Sequence, residues 1–576
     1  MVFAKRLGVV VLLVLLACPC FFQMQAWADM AGEPVEPDPV AAELERILLE
    51  HSLPVTTGTL DFKALDVFYR KRDYRPAWCD ASGIRFNTQR WLAMPGRASQ
   101  QSAVAGQSHL REIQHLLNAA APRECAELDM LLTTSFLSHV RSLLEAGKKP
   151  SGADGERDFV PVPIEPGEVL EQALQSGQFA EVLAGLEPQH AGYQRLRVQL
   201  AHYRDIHVRG GWPAFAAAGE RLEPKTESRE IPILRQLLNV TGDLPSEQSD
   251  DTAGRRYDAA LEQAVRRFQE RHGLTVDGII GRATRAALAV PVEQRIAQLR
   301  INLQRWHWLP HDLGERHIVV NTAAFQLQVH DGQRVPLSMR VIVGTPERET
   351  PVFTEQLRYL VVNPYWRVPE KIATEDLIPA LLEDRSYFER KGIRVLSGWG
   401  DDAVEVDSAQ VAWQDYVGKR DLPYHLRQDP GPDNSLGRIK FMLPNRHSIY
   451  LHDTPARSLF ERPERAFSSG CIRVENPLAL ARYVLGGGEE TAWILDAMLA
   501  YGDTRTVMLP EPIPVYLLYH TAWVSEDGKV HFRKDIYQRD RPLLAALRPL
   551  ETLPQTGESA GKLSKIEHFN QLQHQN

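Results

Sequence analysis

The hydrophobic pattern of this chain changes its period near residue 310, and this change constrains the fold more than any other feature of the sequence. Upstream, apolar residues recur every three or four positions, as across residues 128–140, which is typical of amphipathic helices. Downstream, apolar and polar residues alternate through Phe325–Val329 and lead into Asp331-Gly332, which predicts a β-hairpin. The pattern therefore predicts an α+β chain with helical domains first and a strand-rich domain after them.

The length of 576 residues is too great for one hydrophobic core, so we expect three or four domains. Proline-rich residues at the start of 29–55 predict a linker. Helical periodicity continues through a scaffold domain and then a compact three-helix module, in which Gly273 ends a helix over Tyr257–His272. We place the scaffold at 56–227 and the module at 228–290.

A strand-rich domain is expected over residues 300–510. Its pattern is interrupted at about 370–432, where helical and loop segments predict an insertion that lies over the sheet as a helical lid. The C-terminal extension, 511–576, contains a segment with strand character, Pro512–Tyr519.

The N-terminus carries the features of a secretory signal. Lys5 and Arg6 precede an apolar run, and Ala26-Trp27-Ala28 provides small residues at a cleavage site, so we expect residues 1–28 to be removed during export. Two alternatives stay open. The chain can be processed as a lipoprotein at Cys18, or the apolar run can remain as a membrane anchor, although it is short for a bilayer span.

The number of cysteines is informative if the chain is exported. Beyond the signal the chain has Cys79, Cys125 and Cys471, and an odd number outside the cytoplasm leaves a thiol to be explained. Cys79 and Cys125 can form a bridge within the helical part, which the sequence does not decide. Cys471 is then the remaining thiol.

The charge and the metal-ligand spacings exclude some classes of function. The formal net charge is −8 and the sequence has no block of Lys and Arg, which argues against a nucleic-acid-binding surface. Neither Cys-x-x-Cys nor His-Glu-x-x-His occurs, so the sequence predicts no metal site.

The segments that carry chemistry are Ser448–Thr454 and Ser468–Arg473. A thiol is mostly protonated at neutral pH and needs a neighbouring base or cation to act as a nucleophile. His452 ends a predicted strand and is the candidate base for Cys471, nineteen positions later. Gly470 has no side chain, so we expect it to let a substrate carbonyl approach the sulfur, and we expect backbone amides at the Gly470–Cys471 turn to hold the developing oxyanion. Ser469 is expected to assist the oxyanion or to shape the turn. Arg473 adds positive potential or helps to fix the turn.

Each of these residues also has a purely structural interpretation. A single cysteine is usually a small buried apolar side chain, and Arg473 can equally form a structural ion pair. Strand alternation places Tyr450 on the same side as His452, so Tyr450 is a candidate for the substrate wall. Trp366 and Tyr365 are also candidates, with a role as core aromatic residues as the alternative.

His452-Asp453-Thr454 and Ser469-Gly470-Cys471-Ile472-Arg473 resemble the signature of the L,D-transpeptidases. Asn363–Ala373 and Pro430–Gly437 are similar to segments of the large periplasmic members. The resemblance extends over about residues 60–540. The three-helix module separately resembles the peptidoglycan-binding module of many wall enzymes. One departure is Ser469, since many members have a histidine there, and this leaves the base assignment to His452.

The resemblance implies a mixed β-sandwich with a helical lid as the catalytic domain, together with an enzyme of the periplasm that uses no cofactor or metal. Cys471 would attack the third residue of a tetrapeptide stem and release D-Ala, and a neighbouring stem would resolve the thioester to give a 3→3 crosslink. Carbapenem β-lactams are the implied inhibitors, and cell-wall synthesis proteins are possible partners.

Three other functions compete with this one. Water can resolve the same thioester, which would make the protein an L,D-carboxypeptidase. A non-catalytic peptidoglycan-binding scaffold has no use for Cys471, His452 and Arg473 together. A papain-like protease is disfavoured because its cysteine precedes its histidine, whereas here the histidine comes first.

Overall fold

The computed structural model describes residues 38–51, 60–80, 83–93, 112–117, 121–146, 164–245, 254–400 and 402–547. The expected signal peptide and the C-terminal tail lie outside these ranges. Residues 38–51 of the expected linker are described, and Pro39–Glu50 within them form a helix rather than a linker. The chain divides into two compact units, one of residues 1–142 and 164–184 and the other of residues 143–163 and 185–576. Among the described helices, none combines the length and the apolar character that a bilayer span requires.

The first unit is helical around one buried carboxylate. Asp129 accepts hydrogen bonds from the amides of Ala77, Trp78 and Cys79 at 2.9, 2.6 and 2.9 Å, and from the Tyr69 hydroxyl at 2.7 Å. These four donors offset the cost of burying the carboxylate. The elements are α1 (Pro39–Glu50), α2 (Phe62–Arg70), β1 (Cys79–Asp80), β2 (Gly83–Ile84), α3 (Phe86–Leu92), α4 (Pro122–Ala146), α5 (Pro166–Ser176) and α6 (Phe179–Ala184).

The second unit begins with helices, and the expected three-helix module is among them. The helix predicted over Tyr257–His272 runs from Ala259 to Arg271, and Asp258 caps its start by accepting from the Leu261 amide at 2.9 Å. A buried ion pair joins Arg271 to Asp243. The helices are α7 (Ala191–Val208), α8 (Ile231–Val240), α9 (Ala259–Arg271), α10 (Arg282–Leu288) and α11 (Val292–Trp306).

The strand-rich region forms a barrel-like sheet. Its strand order is β12-β5-β13-β11-β10-β6-β14-β3-β4, and β4 also pairs with β5, which closes the sheet on itself. The hairpin expected at Asp331-Gly332 is confirmed as the β4–β5 connection. The strands are β3 (Arg316–Asn321), β4 (Gln326–Asp331), β5 (Arg334–Gly344), β6 (Phe353–Val362), β10 (Ile439–Met442), β11 (Leu451–His452), β12 (Ala466–Ser468), β13 (Ile472–Val474) and β14 (Arg505–Leu518).

This closed sheet differs from the expected β-sandwich. Alternation along each strand predicts a buried face but not which strand pairs with which. The β4–β5 hairpin joins the sheet through both of its strands, because β4 also pairs with β3 and β5 also pairs with β13. One face of the closed sheet then encloses the core, and the other face lies outside it.

A subdomain is inserted between β6 and β10, where the sequence predicts a lid. It has a three-stranded sheet of order β7-β9-β8 and its own apolar core, which includes Ile378, Trp413 and Leu426. A π-helix, Ala373–Leu377, interrupts its main helical segment. The elements are β7 (Trp366–Arg367), α12 (Glu370–Ile372), α13 (Ile378–Glu383), α14 (Tyr387–Arg390), β8 (Ile393–Leu396) and β9 (His425–Gln428).

The strand expected over Pro512–Tyr519 is part of the barrel. Strand β14 runs from Arg505 to Leu518 between β6 and β3, so the barrel continues beyond residue 510. The remaining elements are α15 (Pro477–Val484), α16 (Glu489–Tyr501), β15 (Ala522–Val524), β16 (Val530–Phe532) and α17 (Asp540–Ala546).

Candidate active site

Three neighbouring strands place His452 between two cations. In the antiparallel β10–β11 pair Lys440 is opposite His452, and in the parallel β11–β13 pair His452 is beside Arg473. Leu451 and Ile472, the alternate residues, belong to the barrel core. Because side chains alternate along a strand, Lys440, His452 and Arg473 form one row on the outer face of the barrel, which we call the cation row.

Cys471 lies immediately before β13 and next to Tyr450. The amide of Ile472 donates to the Tyr450 carbonyl at 3.0 Å, and the Cys471 Sγ atom is 3.7 Å from the carbonyl oxygen of Ser448. The thiol is not in a disulfide. The centroids of the Tyr450 and His452 rings are 5.7 Å apart, and the ring planes are inclined at 62°. The structure thus places Cys471, Tyr450, His452 and Arg473 in or next to the paired strands β11 and β13, and their catalytic and binding roles stay predictions.

The turn before the thiol is fixed by Ser468 and Thr350. Ser468 Oγ accepts from the Gly470 amide at 3.1 Å and donates to the Cys471 carbonyl at 2.6 Å, while the Thr350 hydroxyl donates to the Gly470 carbonyl at 2.7 Å. Gly470 has φ +115°, a conformation that favours glycine. The Gly470 amide donates to Ser468 Oγ in this conformation, and the expected roles of Gly470 and Ser469 stay predictions.

The His452 ring is held as one tautomer. It is 4% exposed, and Nδ1 lies 2.6 Å from the backbone carbonyl oxygen of Asp453. A carbonyl oxygen can only accept, so Nδ1 of the neutral ring must carry the proton. Nε2 is then unprotonated and can act as a base.

The electrostatics favour a neutral thiol and a neutral imidazole at rest. Burial lowers the pKa of His452 to about 3, and the charges of Arg473 and Lys440 act in the same direction, while the nearby carbonyls of Asp453 and Leu436 favour the protonated ring and oppose this fall. Burial also raises the pKa of the Cys471 thiol, although hydrogen bonds from Tyr450 and the charges of Lys440 and Arg473 oppose this rise. Lys440 and Arg473 can therefore stabilise a thiolate that forms during the reaction.

This arrangement predicts the pH dependence of thiol alkylation. The rate of carboxamidomethylation of Cys471 by iodoacetamide should rise about tenfold per pH unit from pH 6 to pH 8, because the thiolate fraction grows in this way below a raised pKa. Intact-mass spectrometry over time measures this rate. A rate that stays constant between pH 5 and pH 7 would instead indicate a preformed thiolate–imidazolium pair.

Sequence reasoning missed Lys440. Its Nζ atom lies 3.8 Å from the centroid of the Tyr450 ring, a cation–π distance, and burial lowers its pKa. The available signal was a single lysine between Ile439 and Phe441, two apolar residues of a strand that enter the core. Recognising its role requires the β10–β11 register, which local sequence does not give.

Arg348 was also missed, and it connects Ser469 to the inserted subdomain. Its guanidinium donates to Ser469 Oγ at 2.9 Å and to Glu375 at 2.8 Å, and it also pairs with Asp376 at 2.5 Å. Glu375 and Asp376 lie in the π-helix. Ser469 therefore contacts Arg348, the residue that pairs with the π-helix of the inserted subdomain. No local sequence pattern singles out Arg348 before the fold is known.

Trp366 and Tyr365 have different surroundings. Trp366 is 9% exposed and belongs to the core of the inserted subdomain, as its alternative interpretation predicts. Tyr365 is 43% exposed, with the Arg427 guanidinium 4.6 Å from its ring centroid. Tyr450 packs against the same subdomain core as Trp366. Substrate binding by Trp366 and Tyr365 stays a prediction.

Three parts of the chain match known protein families. Residues 315–507 match the L,D-transpeptidase catalytic domain, 63–200 match a scaffold domain, and 228–288 match a family described as "Putative peptidoglycan binding domain". The chain thus contains a segment that matches the L,D-transpeptidase catalytic domain. More particularly, it combines this segment with one that matches a putative peptidoglycan-binding domain.

Individual proteins are similar to parts of the chain. The chain is 38% identical over 252 residues to a Haemophilus influenzae protein named "Putative L,D-transpeptidase", covering 44% of this chain and 50% of that protein. It is 41% identical over 75 residues to the N-acetylmuramoyl-L-alanine amidase CwlM of Mycobacterium tuberculosis, covering 12% and 18%. The chain thus spans about half the length of the first relative and less of the second. A solved L,D-transpeptidase from Mycobacterium smegmatis has 13% identity and a TM-score of 0.17, covering 35% of this chain and 58% of that one.

Proposed function

We propose that this protein is a cysteine L,D-transpeptidase that forms 3→3 crosslinks in peptidoglycan. The observation that carries the proposal is the placement of Cys471 beside the cation row, with the His452 tautomer set by the Asp453 carbonyl. This arrangement suits nucleophilic acyl transfer, because His452 has one unprotonated nitrogen, Cys471 lies beside its strand, and two cations are adjacent.

The first half-reaction transfers the stem to sulfur. Cys471 Sγ attacks the carbonyl carbon of the third stem residue while His452 Nε2 takes the thiol proton. The tetrahedral oxyanion collapses, the C–N bond to the terminal D-Ala breaks, and the imidazolium gives its proton to the leaving amine. The product is a thioester on Cys471, and the imidazole is neutral again.

Lys440 and Arg473 stabilise the negative charge that develops in this step and disfavour the His452 imidazolium. The low pKa of His452 makes its imidazolium short-lived, so proton transfer is coupled to attack and no stable ion pair accumulates. Negative charge passes from sulfur to the carbonyl oxygen beside these cations, which lowers the barrier through electrostatic stabilisation.

The second half-reaction has two possible nucleophiles. The side-chain amine of a neighbouring stem attacks the thioester carbonyl, and release of Cys471 gives the crosslink. Water attacking the same carbon gives a shortened stem, which is the L,D-carboxypeptidase alternative. We favour the amine because a separate peptidoglycan-binding domain at 228–288 would keep the enzyme close to many stems.

The proposal extends to the surroundings of the enzyme. The secretory signal at 1–28 would deliver the chain to the periplasm, where peptidoglycan and cell-wall synthesis proteins are its partners. Carbapenems would acylate Cys471. The inserted subdomain would act as a lid, and the packing of Tyr450 against its core supports this role.

Purified tetrapeptide muropeptides test the proposal. Incubation with the full chain should give 3→3 dimers and free D-Ala in equal amounts, detected by chromatography and mass spectrometry. Tripeptide monomers without dimers would instead establish the carboxypeptidase. If neither product forms and no D-Ala is released, the enzymatic proposal is wrong.

A further inference from the structure

A second row of side chains lies beside the cation row and ends at the sulfur. Met508 on β14 pairs with Tyr359 on β6, and Tyr359 pairs with Met442 on β10. Continuing the β10–β11 and β11–β13 registers by one residue brings Met442 opposite Tyr450, and Tyr450 beside Cys471. We call Met508, Tyr359 and Met442 the apolar track.

The apolar track faces outward and is accessible. Leu360 and Phe441 are in the barrel core, and Val507 packs against it, so the alternate residues point to the other face. Met508 is 65% exposed, and Tyr359 and Met442 are half-buried. Apolar side chains that adjoin one another on an outer face often mark a binding site.

The geometry of the track suits one part of the proposed substrate. Four strand spacings of about 4.8 Å separate Met508 from Cys471, or about 19 Å in all. An extended peptide covers about 3.3–3.6 Å per residue, so the three residues from the reacting carbonyl to the start of the stem span about 10 Å. The sugar that carries the stem would then lie at Tyr359 and Met508.

We propose that the apolar track is a subsite for the glycan of the donor strand. This inference rests on the proposed function, because it takes the acylated stem at Cys471 as its starting point. The ring of Tyr359 and the thioethers of Met508 and Met442 present flat or deformable apolar surface to the C–H faces of a pyranose ring. The adjacent cation row faces the acidic groups of the stem.

The experiment compares two donors that differ only in the sugar, a disaccharide-tetrapeptide and the free tetrapeptide of the same sequence. D-Ala release is measured for the full-length wild type and for Tyr359→Ser and Met508→Ser. Each variant should lower kcat/KM about tenfold for the disaccharide donor, which corresponds to loss of one buried apolar contact. The kcat/KM for the free tetrapeptide and the rate of acylation by a carbapenem should be the same in the variants as in the wild type.

Trp493→Ser is the matched control, since Trp493 is an apolar side chain on α16 that is 72% exposed and lies outside the track. It should leave kcat/KM unchanged for both donors. Equal kcat/KM for wild type and track variants on the disaccharide donor would overturn the subsite, as would an equal fall for both donors. Normal D-Ala release with fewer dimers would place the acceptor strand on the track instead. A wild type that neither binds a carbapenem covalently nor releases D-Ala would overturn the proposed function itself.

Discussion

Replacement of Cys471 by alanine is expected to abolish D-Ala release, with a fall in kcat of at least about 10⁴-fold, because loss of a nucleophile removes the covalent route entirely. Intact-mass measurement after incubation with a carbapenem should show one adduct on the wild-type chain and none on Cys471→Ala. The variant should fold normally, since Cys471 is half-buried at the edge of the barrel core and the substitution removes one atom.

Cys125→Ala provides the control, because it removes a buried cysteine of the first unit. It should keep both the adduct and the activity. An adduct that persists in Cys471→Ala would place the nucleophile elsewhere and would contradict the mechanism.

The second large effect is expected for His452→Gln, which should lower kcat/KM by about 10²–10⁴-fold, the usual contribution of general acid–base catalysis. Glutamine can still donate to the Asp453 carbonyl, which now accepts from Nδ1 at 2.6 Å, but its amide cannot take the thiol proton. D-Ala release from the tetrapeptide donor measures the loss.

Alkylation distinguishes loss of the base from distortion of the site. At a pH above the thiol pKa the sulfur needs no base, so His452→Gln should react with iodoacetamide at the wild-type rate. His330→Gln is a matched control on β4 and should be fully active. Wild-type D-Ala release by His452→Gln would remove His452 from the reaction.

Local features of the fold follow well from the sequence. Asp331-Gly332 and the alternation before it are enough for the β4–β5 hairpin, which is observed. Gly273 has φ +66° just after α9, as expected of a residue that ends a helix. In both places, neighbouring residues determine the conformation, so the local sequence pattern is enough to predict it.

Long-range pairing is where the sequence is insufficient. The barrel closes through β4 and β5, and the site depends on the parallel β11–β13 pair. The sequence suggests that His452 and Cys471 work together, and the structure places His452 on β11 and Cys471 immediately before the adjacent strand β13. The sequence does not reveal Lys440 or Arg348, because their importance comes from strand register and from contacts between distant segments. The same limit explains why a sandwich was expected where the sheet is closed.

The two connections of the inserted subdomain leave the barrel side by side, since Val362 at the end of β6 pairs with Ile439 at the start of β10. An insertion attached at a single point of the barrel can become longer or shorter, or be replaced, without changing the strand register of the barrel. Under the proposed function, changes in the insertion over evolution would alter which peptidoglycan fragments enter the site while leaving the strands that position His452 and Cys471 unchanged.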